Sequence, residues 1–201
     1  MKKYGLFTII LLSLGSCSYD LMETTIFIPD ENDRNLPAYT EWGYNSFGAK
    51  YERSYFFATK DIVPCKVVYQ DGILNFSLCG CTGSEYHYWS NHQNEMALTI
   101  SFSSSPVKDF RDLIELHKKE FDLTDSFCKV KMTKGYQTDT LTVLSGHLNF
   151  KRAQLLRINE KEDRVILSGI FDAQFFRDDI PERISDGRFD LGITDVYYID
   201  E

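Results

Sequence analysis

The chain has 201 residues and a formal net charge of −8, and 43% of its residues are hydrophobic and 14% aromatic. This composition is too apolar and too aromatic for a disordered chain, and the length fits one domain or at most two. The acidic balance argues against a nucleic-acid partner, because few basic groups would be left to neutralise the phosphates.

The first residues have the pattern of a lipoprotein signal peptide. A short basic stretch precedes the apolar run Gly5 to Leu14, which is too short to span a bilayer, since that needs ~20 residues. A leucine, a glycine and a serine then directly precede Cys17, as in the lipobox of bacterial lipoproteins. We therefore predict a signal peptide over residues 1–16 and lipid attachment at Cys17, where several acyl chains would anchor far more firmly than one. The alternative is an ordinary secretory signal with a chance cysteine.

The stretch after Cys17 contains few core-like positions and many proline, asparagine and acidic residues. We predict that residues 17–42 form a tether that holds a folded domain away from the membrane, with a short strand at Thr24–Ile28. Residues 43–201 are predicted to form a single antiparallel β domain.

A hairpin is the most detailed prediction for this domain. Asp71-Gly72 is a two-residue turn signal, because a type I′ turn needs positive φ at both positions. Pairing across it sets Gln70 opposite Ile73 and Cys65 opposite Leu78. A slip by one residue would mix the apolar and polar faces, so pattern and turn agree on this register.

Other strands follow from period-two patterns, of which Glu95–Ser103 is the clearest. Its predicted inward residues are Met96, Leu98, Ile100 and Phe102. Further strands are predicted at Phe127–Thr133, Leu141–Phe150, Ala153–Ile158, Arg164–Phe176 and Arg188–Thr194. Gly169 is expected to mark a bulge.

One helix is predicted between these strands. Ser105 would cap it, and apolar residues at three-to-four spacing continue to Phe121. His117 lies on the apolar stripe of this helix and is predicted to be a hydrogen-bonded structural histidine. Together these elements predict a mainly β protein, an antiparallel β-sandwich or barrel with one covering α-helix.

Three stretches carry a family resemblance: LPAYTEWGYNSFGA at 36–49, SGIF at 168–171 and DGRFD at 186–190. They resemble a group of small, uncharacterised Bacteroidota-type lipoproteins, in patches over residues 36–194. The resemblance implies a β-rich lipoprotein at the outer membrane and carries over no catalytic residue. The pattern of the stretches themselves predicts Phe47, Phe171 and Phe189 as core residues and Asp190 as facing outward.

Four cysteines besides Cys17 stand in the predicted domain: Cys65, Cys79, Cys81 and Cys128. An exported protein can form disulfides, so buried thiols and one bridge are both open. The hairpin register sets Cys65 and Cys79 on opposite faces, which argues against joining that pair.

The loop after the hairpin is the candidate ligand-binding loop. Its residues combine stacking surfaces with hydrogen-bonding groups, which suits a glycan or a protein partner. They are Tyr86, His87, Tyr88, Trp89, Asn91 and His92. Alternatively, Tyr88 and Trp89 fold back over the core as a lid. A zinc site made of Cys79, Cys81, His87 and His92 is the weaker hypothesis, because C-x-C departs from the usual ligand spacing. We therefore predict neither a metal nor another cofactor.

No nucleophile elbow, zinc-protease, P-loop or dinucleotide motif is present in the sequence. The favoured interpretation is a non-enzymatic outer-membrane lipoprotein, facing the periplasm or the cell surface, that acts as a binding or accessory module. One alternative is an enzyme acting on glycans, whose paired carboxylates would come from the acidic residues Asp172, Asp178, Asp179, Asp186 and Asp190. A second alternative is a structural surface protein.

Overall fold

The structure is a computed structural model, and it describes residues 24–87, 89, 94–103, 107–158 and 160–198. Twelve strands form one sheet in this part of the chain. In chain order they are β1 (Ser46–Tyr51), β2 (Ser54–Phe57), β3 (Cys65–Gln70), β4 (Ile73–Gly83), β5 (Glu95–Ser103), β6 (Glu120–Asp122), β7 (Cys128–Lys134), β8 (Gln137–Thr140), β9 (Thr142–Ile158), β10 (Lys161–Arg177), β11 (Ile180–Ile193) and β12 (Tyr197–Tyr198). One 3₁₀ helix is present among the described residues, Phe110–Leu116, and it lies between β5 and β6. The predicted mainly β, antiparallel fold class is confirmed.

The sheet curls into a half-barrel with the strand order β6-β9-β10-β11-β1-β2-β4-β5-β7-β8. β3 pairs with β4, and β12 pairs with β3 in the one parallel contact among the described strands. Because the sheet curls, the ring of Phe76 in β4 meets Phe150 of β9 and Phe189 of β11, with centroids 5.6 and 5.5 Å apart. The two halves of the sheet therefore share one aromatic core.

The predicted hairpin and its register are confirmed. Cys65 pairs with Leu78 and Gln70 with Ile73, and the turn residues Asp71 and Gly72 have φ of 51° and 79°. The predicted inward faces are buried as well. These core residues include Met96, Leu98, Ile100, Phe102, Phe47, Phe171 and Phe189.

The long strands differ in detail from the prediction. β9 is one strand of 17 residues where two were predicted, because the break between them is only a shift of register. Phe150 pairs with Gly169 and Arg152 with Ser168, so a register shift lies beside Gly169, and its extra residue is Lys151 of the partner strand β9.

The helix is shorter and tighter than the predicted α-helix. It begins after Asp109, whose carboxylate accepts a hydrogen bond from the Arg111 amide at 3.0 Å, while the Asp112 carboxylate accepts one from the Asp109 amide. Ser105, the predicted cap, lies outside the described residues. A capping box of this kind fixes where the first helical turn starts.

The helix ends early because the chain is drawn into the sheet. His117 leaves the helical conformation with ψ of 121°, and Phe121 lies in β6, opposite Leu148 of β9. Pairing in the sheet therefore overrides the helical spacing of the sequence. His117 has the structural role that was predicted, since its Nδ1 accepts a hydrogen bond from the Ala153 amide at 3.2 Å.

The tether predicted over residues 17–42 is wrong for its described part, which packs on the outer face of the sheet. Leu36 is fully buried, and a Cβ added at Gly48 of β1 would lie 2.3 Å from Pro37 Cδ. The predicted strand at Thr24–Ile28 is replaced by single backbone contacts, such as Ile26 N–H to the Tyr44 carbonyl at 2.8 Å. We call residues 24–44 the strap; residues 17–23 lie outside the described residues.

The polar residues that suggested a tether fasten the strap. Arg188 donates to the Asp30 carboxylate at 2.7 Å, and Lys50 Nζ lies 3.4 Å from Asp33. The Asn32 amide, together with Arg188, holds the pKa of Asp30 below its usual value. Each of these surface pairs contributes little alone, about 0–1 kcal/mol, so they direct the path of the strap while the apolar contacts stabilise it.

Candidate functional site

The candidate ligand-binding loop begins with a residue that the fold uses for packing. The ring of Tyr86 stacks on Phe27 of the strap with centroids 3.5 Å apart, and meets Phe57 edge-on at 5.2 Å. Its amide donates to the side-chain oxygen of Asn35 at 3.1 Å. Tyr86 therefore fastens the loop to the strap, and its ring faces do not offer a stacking surface for a ligand.

Other residues of the same loop are accessible. His87 is exposed, and Trp89 exposes 60% of its surface. Lys60 Nζ lies 4.4 Å from the centroid of the Trp89 ring, a cation–π distance. Tyr88, Asn91 and His92 lie outside the described residues. The accessible contact surface at the described part of the loop therefore consists of His87, Trp89 and the neighbouring Lys60.

The zinc hypothesis gains no support from the described residues. Cys81 is buried, Cys79 is half-buried, and His87 is exposed. Nowhere in the described ranges do three or more histidine, cysteine or acidic side chains come together in a way that could hold a metal ion. His92 lies outside those ranges.

None of the four described cysteines is part of a disulfide bond, which favours the buried-thiol alternative. Burial raises the pKa of Cys65 well above its usual value and also raises that of Cys79. Burial raises the pKa of Cys128 to about 11. Thiols with raised pKa values contain little thiolate near neutral pH and are poor nucleophiles, so these side chains act as small apolar groups.

Of the acidic residues proposed as paired carboxylates, Asp172 and Asp186 line one cavity together with Arg183 and Arg188, while the other three lie elsewhere. Asp190 lies on the outer face of the sheet as predicted, but the strap covers it and leaves 1% of its surface exposed. Asp186 lies 3.0 Å from Lys50. Asp178 and Asp179 have positive φ in the turn between β10 and β11, and Asp172 is exposed on β10.

The carboxylate of Asp190 holds the end of the strap. It accepts hydrogen bonds from the Thr40 hydroxyl at 2.6 Å and from the Trp42 and Gly43 amides at 3.0 and 2.7 Å. The Tyr44 amide donates to it at 3.3 Å. A negative group surrounded by four donors is a stable way to bury a charge.

A polar cluster at the end of the half-barrel was not predicted from the sequence. Tyr51 donates to Glu182 at 2.6 Å, Arg177 Nε donates to Glu182 at 3.1 Å, and Lys134 donates to the Tyr51 hydroxyl at 2.5 Å. Asp139 lies 3.8 Å from Arg177. We call these five residues the end cluster. They come from β1 and from the two hairpins β7–β8 and β10–β11, which are far apart in the sequence, so no local pattern could have identified the cluster.

The end cluster also shifts the titration of its members. Burial raises the pKa of Tyr51, and the hydrogen bond to Glu182 raises it further. Burial lowers the pKa of Lys134, and the charge of Arg177 adds to this effect. Burial alone would raise the pKa of Glu182, but the hydrogen bonds from Arg177 and Tyr51 hold it below its usual value. The cluster is therefore a compact network of charges that stabilise each other.

Comparison with protein-family models, with curated proteins and with solved structures finds no match for this chain. The resemblance to small Bacteroidota-type lipoproteins therefore stays a prediction. Among the described residues, no helix has the length and apolar character needed to cross a membrane.

Proposed function

We propose that this protein is an exported lipoprotein, anchored at the outer membrane through Cys17, whose β body acts as a binding or accessory module. The observation that carries the anchoring is the sequence around Cys17, with its short apolar run and the small residues directly before the cysteine. The acidic exterior supports a covalent anchor, because such a surface gains nothing from anionic headgroups.

The position of the strap refines how the body would sit. Residues 18–23 are all that separates Cys17 from Thr24, where the described strap begins. A fully extended chain of this length spans at most about 25 Å. The strap is part of the folded body, so a lipidated Cys17 would hold that body close to the bilayer surface.

A binding role is supported by the contrast between acidic side chains with structural partners and an exposed aromatic side chain. Two of the acidic residues considered for a catalytic pair have structural partners, since Asp190 is held under the strap and Asp186 lies 3.0 Å from Lys50. By contrast, the large ring of Trp89 is left exposed beside Lys60. A rigid aromatic plane with an adjacent cation suits stacking and hydrogen bonding to a sugar or to a protein surface.

Replacing Cys17 with serine tests the anchor. After expression of the full chain in a Gram-negative host, we expect the wild-type protein to enter the detergent phase on Triton X-114 partitioning and the Cys17→Ser variant to stay in the aqueous phase. Cys79→Ser is the matched control and should partition like the wild type. Intact mass should show acyl chains on an N-terminal Cys17, and an unmodified cysteine or cleavage elsewhere would overturn the anchor.

Tryptophan fluorescence tests the binding role, because the chain contains only two tryptophans. In a Trp42→Phe variant, Trp89 is the sole reporter, and we expect a saturable change in emission with at least one member of a glycan panel. Adding Lys60→Ala should weaken that binding by roughly threefold to fivefold, because it removes a hydrogen-bond donor beside the Trp89 ring. A panel without any response would contradict a glycan partner for this loop.

A further inference from the structure

The sheet contains a gap on one side of β4. β2 pairs with the Cys81–Gly83 end of β4 and β3 with Ile73–Leu78, while residues 58–64 between β2 and β3 leave the sheet. The end of β11 and the residue before β1 border the same gap, and β12 pairs with β3 beside it. A cavity of about 280 Å³ lies between the start of β3, the end of β11 and Asn45. We call it the gap pocket.

One wall of the gap pocket holds a buried guanidinium. Arg164 is 8% exposed, and its Nε donates to Asp163 at 2.6 Å. A Cβ added at Gly192 would lie 3.0 Å from Arg164 Cδ and 3.2 Å from one of its terminal nitrogens, so the glycine leaves room for the guanidinium at the pocket wall. A guanidinium carries five N–H donors in a planar fork and can therefore hold Asp163 and a ligand carboxylate together.

The rest of the pocket supplies the opposite charge and an apolar surface. Asp195 lines the cavity and is exposed, so its carboxylate can meet a cation. Val63 and Tyr197 line it as well and expose 56% and 54% of their surfaces, while Val67 is buried. The pocket thus combines a cation, an anion and an apolar wall within a volume at the small end for ligand sites.

We propose that the gap pocket binds a free amino acid with an apolar side chain. Its carboxylate lies on Arg164, its ammonium on Asp195, and its side chain against Val63 and Tyr197. This site is separate from the Trp89 loop and does not depend on the lipid anchor. A failure of the anchor appears in detergent partitioning, whereas a failure of this site appears in the calorimetry described next.

Isothermal titration of the purified mature protein with leucine is the direct test. We expect leucine to bind, and N-acetyl-leucine, which lacks the ammonium, and isoamylamine, which lacks the carboxylate, to bind at least about tenfold more weakly, since each loses a charged contact. Inorganic phosphate should not compete. The proposal is overturned if leucine gives no saturable heat, if N-acetyl-leucine binds as well as leucine, or if phosphate displaces leucine.

Variants test whether the leucine binding measured by calorimetry takes place in the gap pocket. Val63→Trp fills the cavity from an exposed position and should abolish leucine binding. Ile180→Trp, at an apolar position 61% exposed in β11 and outside the pocket lining, is the matched control and should bind like the wild type. Asp195→Asn, also at an exposed site, should weaken leucine at least about tenfold and leave N-acetyl-leucine, which has no ammonium to lose a partner, unchanged. Unchanged leucine binding in Val63→Trp with an unaltered melting temperature would assign the binding to another site.

Discussion

Replacing Asp190 with alanine is expected to lower the free energy of unfolding by about 3–5 kcal/mol. The carboxylate is 1% exposed and accepts hydrogen bonds from the Thr40 hydroxyl and the Trp42, Gly43 and Tyr44 amides. Hydrogen bonds to a charged group are worth about 1.5–3 kcal/mol each, and removing the acceptor leaves buried donors without a partner. Urea unfolding followed by circular dichroism measures the change.

The loss should be concentrated in the strap. Hydrogen exchange of the amides at 42–44 should become faster in Asp190→Ala, while the amides of the β4–β5 ladder change only with global stability. Asp172→Ala is the matched control, because Asp172 is exposed on the neighbouring strand β10, and its effect should stay within about 0.5 kcal/mol. Equal losses in the two variants would mean that Asp190 does not fasten the strap.

The path of the strap is the part of the fold that could not be predicted from the sequence. Its residues show no period-two or helical pattern, because it is held by single contacts with distant residues such as Asp190 and Arg188. Proline and acidic residues at 29–37 are typical of a linker, yet here they shape a path over the sheet. Long-range pairing of this kind leaves no mark on the local sequence.

The hairpin of β3 and β4 shows the opposite case. Two independent local signals, the Asp71-Gly72 turn and the alternation of Val67 and Phe76 with polar neighbours, require the same register, and the register was correct. The helix region had only one signal, the spacing of apolar residues. Phe121 fitted that spacing but pairs in β6, since a sheet partner was available in β9.

The candidate site was predicted only in part, because local sequence signals cannot show which side chains long-range packing will bury. The loop composition indicated exposed aromatic residues, and Trp89 is exposed, but nothing local distinguishes Trp89 from Tyr86, whose ring packs on Phe27. The gap pocket was not predicted at all. It depends on Arg164 and Asp195 approaching the same opening in the sheet, and only the strand order brings those segments together.

Replacing Glu182 with glutamine is expected to destabilise the protein by about 3 kcal/mol at pH 7. The Glu182 side chain is 9% exposed and accepts hydrogen bonds from Tyr51 and Arg177, so the variant leaves positive charges of the end cluster without their main partner. Removing one member of a buried ion pair typically costs about 3–5 kcal/mol. β7 and β8 form no ladder with β1, β10 or β11 in the described sheet, so the side chains of this cluster link strands that share no backbone pairing.

The pH dependence of the unfolding free energy gives a sharper test of the role of the Glu182 charge. The folded-state pKa of Glu182 lies below its usual value of 4.5, so its contribution is fully present above pH 4.5 and is lost as the pH falls through the lowered value. The gap in unfolding free energy between wild type and Glu182→Gln should therefore be largest at pH 7 and shrink by pH 3. Glu115→Gln, at an exposed helix position, should show no such convergence. A gap that stays constant between pH 7 and pH 3 would mean that the loss in Glu182→Gln comes from altered packing, and that the charge of Glu182 does not hold the end of the half-barrel together.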